Sequence, residues 1–135
     1  MATKPATDRS VPVTERGLRG KVAYLSGLAA EDQVAEEYQS RGYVLAQTRW
    51  RGASGEVDLI FADGDGFVFV EVKKSRSFDR AAERLGHAQI ARLCSSAEEY
   101  LAQQGRSLMT DLRFDVALVN SQGAIKILEN AFGHF

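Results

Sequence analysis

The chain has 135 residues, 44% of them hydrophobic and 26% charged, with a formal net charge of −1. This is one domain's length, able to bury roughly two thirds of its unfolded surface, and the composition is neither that of a disordered chain nor that of a disulfide scaffold. No apolar stretch approaches the roughly 18 residues that would span a membrane, one Cys and two distant His cannot close a structural zinc site, and a near-neutral charge leaves any polyanion partner to be argued from local charge.

Residues 1–20 mix Thr, Pro, Ser, Arg and Lys without an apolar period, and both prolines fall there, so a flexible N-terminal arm is expected, followed by a single domain over 21–135. The start of the chain lacks the apolar core of a signal peptide, and a cytoplasmic location is expected. Ser26 is placed to cap a helix from about Gly27 to Ser40, with Ala30, Val34 and Tyr38 on one stripe, Glu31 on the adjoining one and Gly42 for the C-terminal left-handed turn. Tyr43 to Arg49 reads as a strand and "RGASG" at 51–55 as a loop.

Two strands, 56–62 and 67–73, follow around "DGDG". Ile90, Leu93, Ala97 and Leu101 keep helical spacing and predict a helix over 87–103, ended by Gly105. Cys94 falls among its apolar positions and is read as a small core residue. "LRFDVALV" at 112–119 and "AIKIL" at 124–128 are strands around the turn "NSQG". The order α, β, β, β, α, β, β predicts an α/β fold: an antiparallel meander, a right-handed crossover to a parallel fourth strand, and a mixed sheet with helices on both faces.

"GEVDLIFADGDGFVFVEVKK" at 55–74 sets acidic residues among Val, Ile, Leu and Phe. A two-residue turn at Gly64 and Asp65 pairs Asp58 with Glu71 and Ile60 with Phe69 on one face, and Val57 with Val72, Leu59 with Val70 and Phe61 with Val68 on the other. Lys73 points the same way as Glu71, and Glu56 the same way as Asp58. Facing carboxylates repel, so in a partly dry site one is driven toward protonation unless a cation is shared. Lys73 and a divalent metal on hard oxygen ligands are the two candidates, and a salt-bridged strand end without chemistry is the plain alternative.

"GEVDLI" followed by "VFVEVK" resembles the YraN family of small bacterial proteins, itself similar to the restriction-endonuclease-like, PD-(D/E)XK superfamily. The likeness extends to "GLAAEDQVAEEYQSRGY", "SSAEEYL", "RFDVALV" and "NAF", over roughly residues 27–132. It implies an αβββαβ core and hydrolysis of DNA phosphodiester bonds with Mg²⁺ or Mn²⁺, with a place in DNA repair or recombination; the alternative is a non-catalytic nucleic-acid-binding or assembly module that keeps the fold.

Carried over residue by residue, the resemblance makes Asp58 and Glu71 the acidic metal ligands and the carbonyl of Val72 a further one. Lys73 becomes the motif lysine, and Glu31 an acidic residue reaching the metal directly or through water. Gln89 stands where many relatives carry Lys, either as a contact to phosphate or base or as a solvated helix residue. From Lys73 to Arg92 six basic residues face two acidic ones, which makes Lys74, Arg76 and Arg92, with Arg51 beside Trp50, the expected DNA contacts. Trp50 is read as core packing or as a stacking platform, Glu56 as outer support of the metal or a solvated strand end, and Arg113 with Asp115 as a structural ion pair.

Overall fold

A computed structural model describes residues 29–78 and 86–131. The expected N-terminal arm and the start of the first helix, with Ser26 and Gly27, lie outside these residues. So do Arg80 and Arg84 of the basic segment.

The first helix, α1, is described over 29–40. Five strands follow among the described residues: β1 (Val44–Arg51), β2 (Glu56–Asp63), β3 (Gly66–Lys74), β4 (Leu112–Val119) and β5 (Ile125–Leu128), with a further helix, α2 (His87–Gln103), between β3 and β4. They form one sheet in the order β1-β2-β3-β4-β5. Only the β3–β4 pair is parallel, as the crossover through α2 requires.

Each helix covers one face. Ala30, Val34, Ala35 and Tyr38 of α1 pack on Leu59, Phe61, Val68, Val70, Ala117 and Val119. On the other face Leu93, Ala97, Tyr100 and Leu101 of α2 pack on Val57, Ile60, Phe67, Phe69 and Phe114. A sheet covered on both sides needs apolar residues at successive positions, which is why β2 and β3 read as near-continuous apolar runs. Cys94 packs against the α2 side of this core, and Trp50 does too, edge-on to Tyr100 at 5.5 Å, so Trp50 is a packing residue.

The helix ends follow their glycines. Gly42 and Gly105 adopt φ of +99° and +67°. After α2, Arg106 N–H donates to the Leu101 carbonyl at 2.8 Å across Gly105, which satisfies a helix-end carbonyl.

The β2–β3 register is the expected one, from Asp63↔Gly66 to Leu59↔Val70, around a turn with Gly64 at φ +57°. The ladder then stops, and the expected alternation fails at its end. Val57 joins the α2-side core, whereas Leu59 and Phe61 face α1 and Val72 packs with them. Val57 and Val72 are therefore on opposite faces. Beside this end of β2, β1 holds Arg49 at φ +49° between the pairs Thr48↔Leu59 and Trp50↔Val57, and it bulges further along, between Leu45 and Gln47. Such irregularities twist a strand and re-aim its side chains, and the register puts Asp58 opposite Arg49.

A second polar group is buried by design of the topology. Asp115, 1% exposed, accepts hydrogen bonds from Tyr38 Oη (2.6 Å), Arg113 Nε and Nη2 (both 2.8 Å) and Asn130 N (3.0 Å). Ala131 N–H donates to the Phe114 carbonyl at 2.8 Å. The "RFD" segment and Asn130–Ala131 thus dock on each other, and the Arg113–Asp115 pair is structural, as expected.

Candidate nucleic-acid cleft

The irregular end of β2 and the end of β3 meet under α2. Asp58 sends its carboxylate, in place of a main-chain group, to β3: Val72 N–H donates to Asp58 Oδ2 at 2.8 Å. Glu71 projects from the α2 face, where Gln89 Nε2 donates to its Oε1 at 2.8 Å and Lys73 Nζ lies 3.3 Å from the same oxygen. The charge of Asp58 acts on the Glu71 carboxyl across the cleft. The cleft around them has a volume of about 210 Å³ and is lined by Gly55, Glu56, Asp58, Glu71, Gln89, Arg92 and Leu93.

Electrostatics follow from this enclosure. Burial, followed by the charge of Asp58, pushes the Glu71 carboxyl up to about 7 against the pull of Lys73. Asp58 rises to about 6, again through burial first, with the Val72 hydrogen bond lowering it and the charges of Glu31 and Glu56 raising it. The pair is short of positive charge even with Lys73 present. Glu56 lines the cleft while pairing with Arg51 at 3.2 Å on its rim.

Not every expected residue converges. Glu31 sits on α1, where Arg49 Nε donates to its Oε2 at 3.0 Å; it influences Asp58 through space but does not line the cleft. Lys74 ends β3 on the α1 side and Arg76 is exposed beyond it. Arg92 lines the cleft and is exposed. Val72 meets the site through its N–H. Among the described residues no three Asp, Glu, His or Cys side chains gather into a ligand group. The pair nonetheless has the chemistry of a hard-cation site, because Mg²⁺ is commonly held by one or two carboxylates and keeps several waters.

One residue was missed from the sequence. Glu99, on α2, accepts the Ala53 N–H with both carboxylate oxygens (2.9 and 3.0 Å) and the Ser54 N–H at 3.4 Å, and Gly52 N–H donates to the Gly55 carbonyl at 2.9 Å. This clamps the 51–55 loop against the helix. A Cβ on Gly52 would stand 2.3 Å from Glu99 Oε2, and one on Gly55, at φ +147°, 3.8 Å from the buried Ser96 Oγ. The available signal was spacing: Arg92, Ser96 and Glu99 form an i, i+4, i+7 stripe, the helix face that the loop covers.

Comparison with known proteins agrees with the fold and the motifs. The family model described as "Uncharacterised protein family UPF0102" matches residues 30–119. The chain belongs to the UPF0102 (YraN) family, part of the PD-(D/E)XK-like superfamily. A UPF0102 protein of Ruegeria pomeroyi is 53% identical over 116 residues, covering 86% of this chain and 94% of the relative. One from Roseobacter denitrificans is 53% identical over 112 residues (83% and 87%), and one from Dinoroseobacter shibae 45% over 123 residues (91% and 92%). UPF0102 membership carries a nuclease-related fold. Among the described residues no helix is long and apolar enough to cross a membrane.

Proposed function

We propose that this UPF0102 protein is a cytoplasmic, divalent-metal-dependent nuclease that hydrolyses DNA phosphodiester bonds. One observation carries the reading: two desolvated carboxylates, Asp58 and Glu71, converge in a cleft with Lys73 on one of them and Arg92 on the wall.

Asp58, Glu71 and the Val72 carbonyl are the groups that would hold Mg²⁺ or Mn²⁺. When bound, such an ion supplies Lewis-acid polarisation of the phosphate and a lowered pKa for water. The remaining tasks fall to the chain. Lys73, oriented by Glu71, stabilises negative charge developing on phosphoryl oxygens or orients the attacking water. Gln89 fixes the Glu71 carboxylate by its 2.8 Å hydrogen bond, and Arg92, with Arg51, Lys74 and Arg76 outside the cleft, contacts phosphates. Glu31 acts from outside the cleft on the charge of Asp58.

The test is a cleavage panel of single-stranded, duplex and branched DNA with Mg²⁺ or Mn²⁺. Wild type should cut, and Asp58→Ala and Lys73→Ala should not; cutting that survives Asp58→Ala ends the proposal.

A second reading, a nucleic-acid-binding or assembly module that keeps the fold, is favoured by one observation. Glu71 is already held by Lys73 and Gln89 and Asp58 by Val72 N–H, with no third acidic ligand gathered among the described residues. Calorimetry with Mn²⁺ separates the two, since the module binds no metal, alone or with DNA.

A further inference from the structure

The sheet carries a second cavity at the same end as the cleft but on its other face. Because β2 is antiparallel and β4 parallel to β3, the start of β2 and the ends of β3 and β4 lie side by side. The second cavity, about 260 Å³, opens on the α1 side and is lined by Gln33, Lys74 and the turn residues Asn120, Ser121, Gln122 and Gly123, over a floor of Ala30 and Val119.

Its chemistry differs from that of the cleft. Three carboxylates line the cleft, from Glu56, Asp58 and Glu71, whereas no carboxylate is among the described residues lining the second cavity. An ammonium, a hydroxyl and three side-chain amides remain. The Gln33 and Gln122 amides each carry both donors and an acceptor, the complement of a nucleobase edge, while an ammonium suits a phosphate oxygen.

The turn is held before any ligand arrives. Asn120 Oδ1 accepts the N–H groups of Gln122 (3.0 Å) and Ala124 (2.9 Å), and Asn120 N–H donates to the Ala124 carbonyl at 3.1 Å. Gly123, at φ +81°, leaves bare backbone against Gln33, whose Oε1 would lie 3.7 Å from a Cβ there.

We propose that this α1-side cavity is a subsite for one unpaired nucleotide of the strand whose neighbouring phosphate occupies the Asp58–Glu71 cleft; it rests on reading that cleft as a nucleic-acid site. Lys74 and Ser121 take the phosphate, and Gln33 and Gln122 take the base edge. An unpaired base is favoured, because a paired one has its Watson–Crick edge occupied and must first be unpaired and unstacked, at a cost of roughly a few kcal/mol, to enter a concavity between a helix and a turn. Both cavities open at the end of the sheet where β2 starts and β3 and β4 finish, so a strand crossing that end meets the two in succession.

The experiment uses the full chain, isotopically labelled, titrated in EDTA with dAMP and dCMP. Amide signals of Gln33, Ser121 and Gly123 should shift. In parallel, fluorescence anisotropy in EDTA should give the Gln33→Ala/Gln122→Ala variant roughly tenfold weaker binding to a single-stranded oligonucleotide, with duplex binding unchanged. Shifts at these residues in a chain that cuts no DNA would retire the hydrolytic reading and keep the subsite. Cutting by wild type, with neither these shifts nor the loss of affinity, would overturn the subsite alone.

Discussion

Asp58 is joined to Val72 by its side chain, whose Oδ2 accepts the Val72 N–H at 2.8 Å where a regular strand would offer a main-chain carbonyl. The carboxylate is thereby held at the cleft floor by β3, so its placement does not depend on a metal. Asp58→Asn keeps an oxygen acceptor for Val72 and removes one of two repelling charges. It should leave the melting temperature equal to or above that of wild type, while hydrolysis falls by roughly a hundredfold or more. A melting temperature well below wild type would show that the charge itself holds the strands.

Metal-free stability should decline as pH rises across the titration of the pair. The folded Asp58 and Glu71 carboxyls titrate at about 6 and about 7, above their ordinary values of 3.8 and 4.5. The folded chain therefore binds more protons than the unfolded one between those limits, and the pair's contribution is lost as pH climbs through the folded values. Urea unfolding in EDTA at pH 5 and pH 8 should show the Asp58→Asn/Glu71→Gln variant gaining on wild type at the higher pH, by something of the order of 3 kcal/mol. Mg²⁺ should close that gap for wild type only; an equal difference at both pH values would count against the assignment.

Gln89→Lys places a charge where a neutral amide now donates to Glu71. The Glu71 carboxyl should move down toward the ordinary carboxylate range, read by a carbon-13 carboxyl titration, and the salt dependence of DNA binding should steepen by about one counterion. An unchanged carboxyl titration would mean that residue 89 does not face Glu71 in solution.

The loop clamp has its own signature. Glu99→Ala removes the acceptor of the Ala53 and Ser54 N–H groups and should speed hydrogen exchange at those two amides with only about 1 kcal/mol lost globally. Gly52→Ala drives a methyl into the same carboxylate and should cost about 1–3 kcal/mol. If Glu99→Ala leaves exchange at Ala53 untouched, the loop is held by something else.

Much of this was legible because the hairpin obeys simple rules. Gly64 fixes a two-residue turn, the turn fixes the register, and apolar runs on both strands announce a sheet covered twice. The face change at Val57 was not legible: it occurs beside the left-handed backbone of Arg49 on the neighbouring strand, and nothing about an arginine announces φ of +49°. Glu31 was expected near a metal, directly or through water, from the family resemblance; nothing in the residue pattern signals that Arg49 donates to its carboxylate. Glu99 went unnoticed because an acid on a helix exterior looks solvated until the loop beneath it is known.

The Asp115 network bears on how experiments with this chain should be designed. One enclosed carboxylate is shared by the first helix, through Tyr38, and by the last described turn, through Asn130. Trimming the C-terminus into that turn would strip a partner from Asp115 and loosen the seat of the helix that carries Glu31 and Gln33. A deletion that seems remote from the cleft would then be felt at the seat of α1, so a truncated chain should not be compared with the full one for effects assigned to the cleft.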